Sequence, residues 1–171
     1  RPDPADPKRT RELLYVGRAD PYKNLPHLIR GFAGLIRQAP FPARLTLAGA
    51  RDPRYPEAPA LARQLGLDDR VVWIDRFEDD RLVQAYQQAD ALVMPSRYEG
   101  FGLPVAEAMA CGTPVVCGRC GALEEIAGPA GIFINPDDPA DLATSLLFLL
   151  TQPGFAAEKA RLGRIQAARF T

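Results

Sequence analysis

The sequence predicts an α/β fold, a parallel six-stranded sheet with helices on both faces. Three observations carry that reading. Six short apolar runs recur along the chain, helical stripes separate them, and each run is nearly continuous rather than alternating. Continuous runs mark strands buried on both faces, and regular strand–helix alternation marks parallel strands joined by crossover helices.

The runs are LLYVG (13–17), ARLTLAG (43–49), VVWI (71–74), ALVMPS (91–96), PVVCG (114–118) and GIFIN (131–135). Between them, Leu28, Phe32, Leu35 and Ile36 recur at helical spacing after Asn24. Leu61 and Leu65 do the same, with Gly66 as a terminator. Leu82, Val83 and Tyr86 follow the acidic start Glu78-Asp79-Asp80, which suits the positive end of a helix dipole. Leu142, Leu146, Leu149 and Leu150 form a further stripe opened by Asp138-Pro139.

The 171 residues suffice for one domain with one core. Lys plus Arg equals Asp plus Glu at 21 each, so no global charge draws the chain to nucleic acid or an anionic membrane. No apolar run approaches the ~20 residues that a membrane span needs. The chain begins at Arg1 without a signal-peptide pattern, and RPDPADPKRT (1–10) reads as a linker. The expectation is a piece of a longer cytoplasmic protein, with its domain over residues 11–171. Three cysteines, an odd and low count, fit a reducing compartment.

In parallel sheets ligands bind beyond the carboxyl ends of the strands. The loop after the fourth run, PSRYEGFGLPVAEAMACGTPVV (95–116), is the most informative. Gly100 and Gly102 bracket Phe101 before a helix whose first position suits Pro104. Free amides of Leu103, Val105 and Ala106 would make its N-terminus an anion site. Glu99 and Glu107 flank the turn and could accept hydrogen bonds from paired sugar hydroxyls. A solvated Glu99 and a Glu107 that only complements the helix dipole would look the same at this stage. After the first run, Gly17, Arg18 and Lys23 lie in GRADPYKN; the two cations could neutralise a diphosphate or simply sit on the surface.

Together these two motifs resemble the retaining GT-B glycosyltransferases of family four, over residues 13–171. The resemblance implies a Rossmann-like domain, one half of a GT-B fold, with the N-terminal acceptor domain absent and the fragment inactive alone. It implies that Arg18 and Lys23 hold the diphosphate of a nucleoside-diphosphate sugar, the donor substrate. It gives Glu99 the transferred sugar and Glu107 the ribose. The backbone of Phe101, Gly102 and Leu103 would touch sugar and phosphate, with Gly17 and Arg76 at the donor and residues 73–77 beside the base. Asp75 stands where the family usually has Gly, and Glu124 where it has Pro. No D-x-D triplet occurs, so the expectation is no metal and no cofactor. Whether the full-length enzyme attaches to the inner face of a membrane stays open.

Other patterns carry less. Cys117 and Cys120 form a C-x-x-C, yet six alternating strands do not suit a dithiol redox fold, and only Cys111 and His27 remain as further zinc ligands. Cys111 and Trp73 read as core, and His27 as structural or solvated. Two rival functions remain: a non-catalytic nucleotide-sugar-binding or regulatory module, and a flavodoxin-like or receiver domain. A receiver needs an acidic pair after its first strand, where this chain has Arg18.

Overall fold

The computed structural model describes residues 6, 8–49 and 51–170. Residues 1–5 and 7 of the expected linker, Ala50 in the second strand-end loop, and Thr171 at the domain's end lie outside them. The strands are β1 (Arg11–Val16), β2 (Ala43–Ala48), β3 (Val71–Ile74), β4 (Ala91–Met94), β5 (Val115–Gly118) and β6 (Gly131–Ile134). The helices are α1 (Leu25–Gln38), α2 (Glu57–Gln64), α3 (Asp79–Gln88), α4 (Leu103–Ala110), α5 (Gly121–Ala127), α6 (Pro139–Thr151) and α7 (Pro153–Ala167). All strand pairs are parallel, in the order β3-β2-β1-β4-β5-β6. The fold class read from the sequence is the one observed.

Helices α1, α2 and α6 share one face, and α3, α4, α5 and α7 the other. The Asp138 carboxylate starts α6 by accepting the Ala140 amide at 2.9 Å. Helices α1 and α6 approach so closely that a Cβ on Gly31 would lie 2.5 Å from Leu142. Leu13, Tyr15, Leu45, Leu47, Leu92 and Met94 form the middle of the core, fully buried. Truncating any one of the leucines to Ala would cost about 2–5 kcal/mol.

Two expectations need correction. Strands β4 and β5 are buried on both faces, but β1 to β3 are not. On one face, Glu12, Arg44 and Thr46 stay partly or fully exposed beside α3, along a groove of about 530 Å³, and Val72, opposite Thr46 in the sheet, is exposed too. Their alternation with buried Leu13, Leu45 and Val71 is the signature of a half-covered sheet. The sequence pattern predicts no helix where α7 lies. This helix buries Ala160, Gly163, Gln166 and Ala167, small or polar residues that give no apolar stripe.

Candidate functional site

The strand order reverses between β1 and β4, so the loops that follow these strands diverge and leave a crevice at their carboxyl ends. Those loops are 17–24 and 95–102. The topology therefore brings together the two stretches that the sequence singled out.

Several bonds set the loops in place. Asn24 is buried with φ 62°, a left-handed conformation that Asn tolerates better than most residues. Its side-chain amide donates to the carbonyls of Pro95, at 3.3 Å, and Pro136. The Arg97 amide donates to the Tyr22 carbonyl at 2.8 Å. The buried Tyr15 hydroxyl donates to the Arg18 carbonyl at 2.7 Å; burial first, then Glu99, pushes this phenol well above its usual pKa, so it stays a donor. Gly118 closes the other side. A Cβ there would sit 2.3 Å from the Ser96 carbonyl oxygen, so the ends of β4 and β5 touch only because this residue has no side chain.

At the centre, the Lys23 ammonium lies 2.7 Å from each oxygen of Glu99. The Ser96 hydroxyl donates to Glu99 Oε1, also at 2.7 Å. The two charged side chains are only 13% and 7% exposed. Residues 76 positions apart thus form a partly desolvated ion pair. Arg18 is different. Its side chain is 71% exposed and pairs with Asp20 at 3.1 Å. Each expected diphosphate-binding cation faces a carboxylate.

Helix α4 begins at Leu103 after Gly102, whose φ of 96° favours glycine, and Pro104 is its second residue. The expected anion site is smaller than the sequence suggested. The Val105 and Ala106 amides donate to the Gly102 carbonyl at 2.9 and 3.3 Å, which removes them from the crevice. The Leu103 amide has no protein acceptor among the described residues.

Glu107 sits one turn along α4, exposed, and accepts the Tyr86 hydroxyl at 2.8 Å. Burial, then the bond to Glu107, pushes the Tyr86 phenol far above its usual pKa and keeps it protonated. The other expected residues join no contact with this centre. Arg76 is exposed; Asp75 lies 3.8 Å from Arg51. Phe101 packs edge-on against Phe170, ring centres 6.0 Å apart. Gly17 lies at the end of β1, its amide donating to the Ala48 carbonyl at 2.9 Å.

The residues of lesser promise fall mostly as read. Trp73 and Cys111 are partly buried against the core. His27 is half-buried, its pKa lowered by desolvation and then by Arg97 and Arg30. No disulfide joins Cys111, Cys117 and Cys120, and burial pushes both Cys117 and Cys120 up, away from thiolate chemistry. Among the described residues, no three His, Cys, Asp or Glu side chains form a group that could hold a metal.

Four contributors lie outside the site residues that the sequence singles out: Asp20, Asn24, Ser96 and Tyr86. Its spacing makes Tyr86 part of an apolar stripe, and its ring is buried in the core as well. Ser96 carried a signal, a polar residue closing an apolar strand.

A doubly wound α/β domain with an ion-paired crevice at its switch point is a scaffold for an anionic ligand with hydroxyl groups. Residues 10–152 match the family described as Glycosyl transferases group 1, and the chain belongs to that family. It is 37% identical over 169 residues to D-inositol 3-phosphate glycosyltransferase 2 of Catenulispora acidiphila, covering 92% of this chain and 39% of that protein. Among solved structures, sucrose-phosphate synthase from Thermosynechococcus elongatus superposes with a TM-score of 0.84 at 31% identity, over 93% of this chain and 41% of that one. The C-terminal domain of a group 1 family protein from Francisella tularensis superposes at 0.81 with 25% identity, over 93% of this chain and 85% of that one. The chain thus spans about two fifths of the first two relatives and matches a GT-B C-terminal domain.

Proposed function

We propose that this domain binds a nucleoside-diphosphate sugar in the crevice and serves as the donor half of a retaining glycosyltransferase. The observation that carries the reading is the pairing of Lys23 with Glu99 at the switch point, a cation and a hydroxyl acceptor side by side. Family membership makes the reaction a glycosyl transfer.

Breaking the sugar–phosphate bond leaves an oxocarbenium-like sugar and a diphosphate. Lys23, Arg18 and the Leu103 amide stabilise the departing charge electrostatically, without a metal. Glu99 orients sugar hydroxyls, and Glu107, steadied by Tyr86, takes the ribose. In the front-face course that the family resemblance implies, a diphosphate oxygen helps deprotonate the acceptor, and Glu99 forms no covalent bond. The acceptor is held by a further domain, so the present chain binds donor but transfers nothing.

Calorimetry with uridine, guanosine and adenosine diphosphates, with and without a chelator, tests this. Binding that survives chelation is expected; binding that vanishes with the metal sinks the metal-free reading. A mass-spectrometric assay with donor and acceptors should show no transfer by this chain.

A further inference from the structure

We infer that Glu99 makes the crevice distinguish a nucleotide sugar from the same nucleoside diphosphate without its sugar. The inference rests on the donor role proposed above. Its basis is the doubly contacted Lys23–Glu99 pair and the shortage of alternative donors around it.

An ammonium has three N–H donors and no acceptor, while an ionised carboxylate only accepts. Lys23 reaches both oxygens of Glu99, and among the described residues the only other side-chain donor within bonding distance of that carboxylate is Ser96, on Oε1. A phosphate that draws Lys23 away leaves Oε2 without its partner, in a place where Glu99 is almost buried. Stranding a nearly buried anion is costly.

The two ligands differ in what they return. A nucleotide sugar brings hydroxyl groups, which are donors, to the vacated oxygens. Lys23 then moves to the diphosphate with every partner replaced. A sugar-free diphosphate brings only phosphate oxygens to this position, and its unsubstituted terminal phosphate carries more negative charge. That charge stands beside Glu99 and repels it. The carboxylate therefore competes with the product for Lys23 and yields it to the donor. The resemblance alone would make Glu99 indifferent to a ligand that lacks a sugar.

Calorimetry on matched probes decides this: uridine diphosphate with its glucose ester, and guanosine diphosphate with its mannose ester. Glu99→Gln should bind the sugar-free probe about tenfold more tightly than the wild type. It should bind the nucleotide sugar no more tightly. Equal or weaker binding of the sugar-free probe overturns the inference while leaving the donor role standing. No binding of any probe by the wild type sinks both.

A second readout needs no folded variant at position 99. The Lys23 ammonium resonance of the wild type, assigned through Lys23→Arg, should move strongly with the nucleotide sugar. With the sugar-free probe at equal saturation it should stay near its starting position. Equal movement with both overturns the inference.

Discussion

The crevice has two sides that differ in how finished they are. On one side, Lys23, Glu99 and Ser96 form a nearly buried cluster bonded to one another. On the other, Glu107 is exposed, with its bond from Tyr86. Charges in a region of low effective dielectric must be paired before a ligand arrives, or the fold itself suffers. Charges in water can wait unpaired at little cost. The first side is thus part of the structure and must be rearranged to bind, whereas the second is ready for a ligand and contributes little to folding. Substitutions on the first side should move stability and binding together; those on the second should move binding alone.

The largest effect is expected from Lys23→Ala. It removes a charge-assisted bond to phosphate and strands Glu99. Affinity for a nucleotide sugar should fall about 10- to 100-fold, and stability by about 1–3 kcal/mol. Calorimetry and thermal melting measure the two; an unchanged melting curve would contradict the structural role of the pair. Next comes Gly118→Ala, which touches no ligand. Its new Cβ meets the Ser96 carbonyl at 2.3 Å, a backbone atom that cannot swing aside. Overpacking of this kind costs about 1–3 kcal/mol. Displacement of Ser96 should also loosen Glu99, so nucleotide-sugar affinity should drop with the melting temperature. A drop in melting temperature alone would show that the first side tolerates movement.

The two sides were also unequally legible in the sequence. Lys23, Glu99 and Glu107 stood out because glycine-bounded loops after apolar runs announce strand ends, and the switch point follows from the parallel order. The pairing of Lys23 with Glu99 was not legible, since nothing in local sequence specifies which cation meets which anion across 76 positions. Asn24 looked like a helix start, and its bonds to Pro95 and Pro136 depend on three strand ends converging. The strand assignments succeeded on continuous apolar runs but overstated burial at β2. Arg44 and Thr46 alternate there with leucines, and that pattern already spoke for a half-covered strand. Helix α7 escaped because its contacts are made through small residues, as where Gly163 meets Met109.

Smaller effects should come from the open side. Glu107→Gln should weaken the free nucleoside diphosphate and the nucleotide sugar by the same factor, about tenfold, if Glu107 serves the ribose common to both. Because Glu107 is exposed, stability should change by no more than about 0.5 kcal/mol. A loss confined to the nucleotide sugar would place Glu107 on the wrong side of the crevice. The smallest effect is expected from Tyr86→Phe. The ring is 1% exposed and its packing survives, so only the hydroxyl is lost. Glu107 can turn to water, which limits the affinity loss for a nucleoside diphosphate to about two- to threefold. The informative measurement is therefore the double-mutant cycle. If the hydroxyl acts by steadying Glu107, Tyr86→Phe should weaken binding in the wild type and do nothing more in Glu107→Gln. Additive losses would mean that Tyr86 influences the ligand by another route. In that case the open side, too, would owe its geometry to the core beneath it, and the contrast between the two sides would be one of solvent exposure alone.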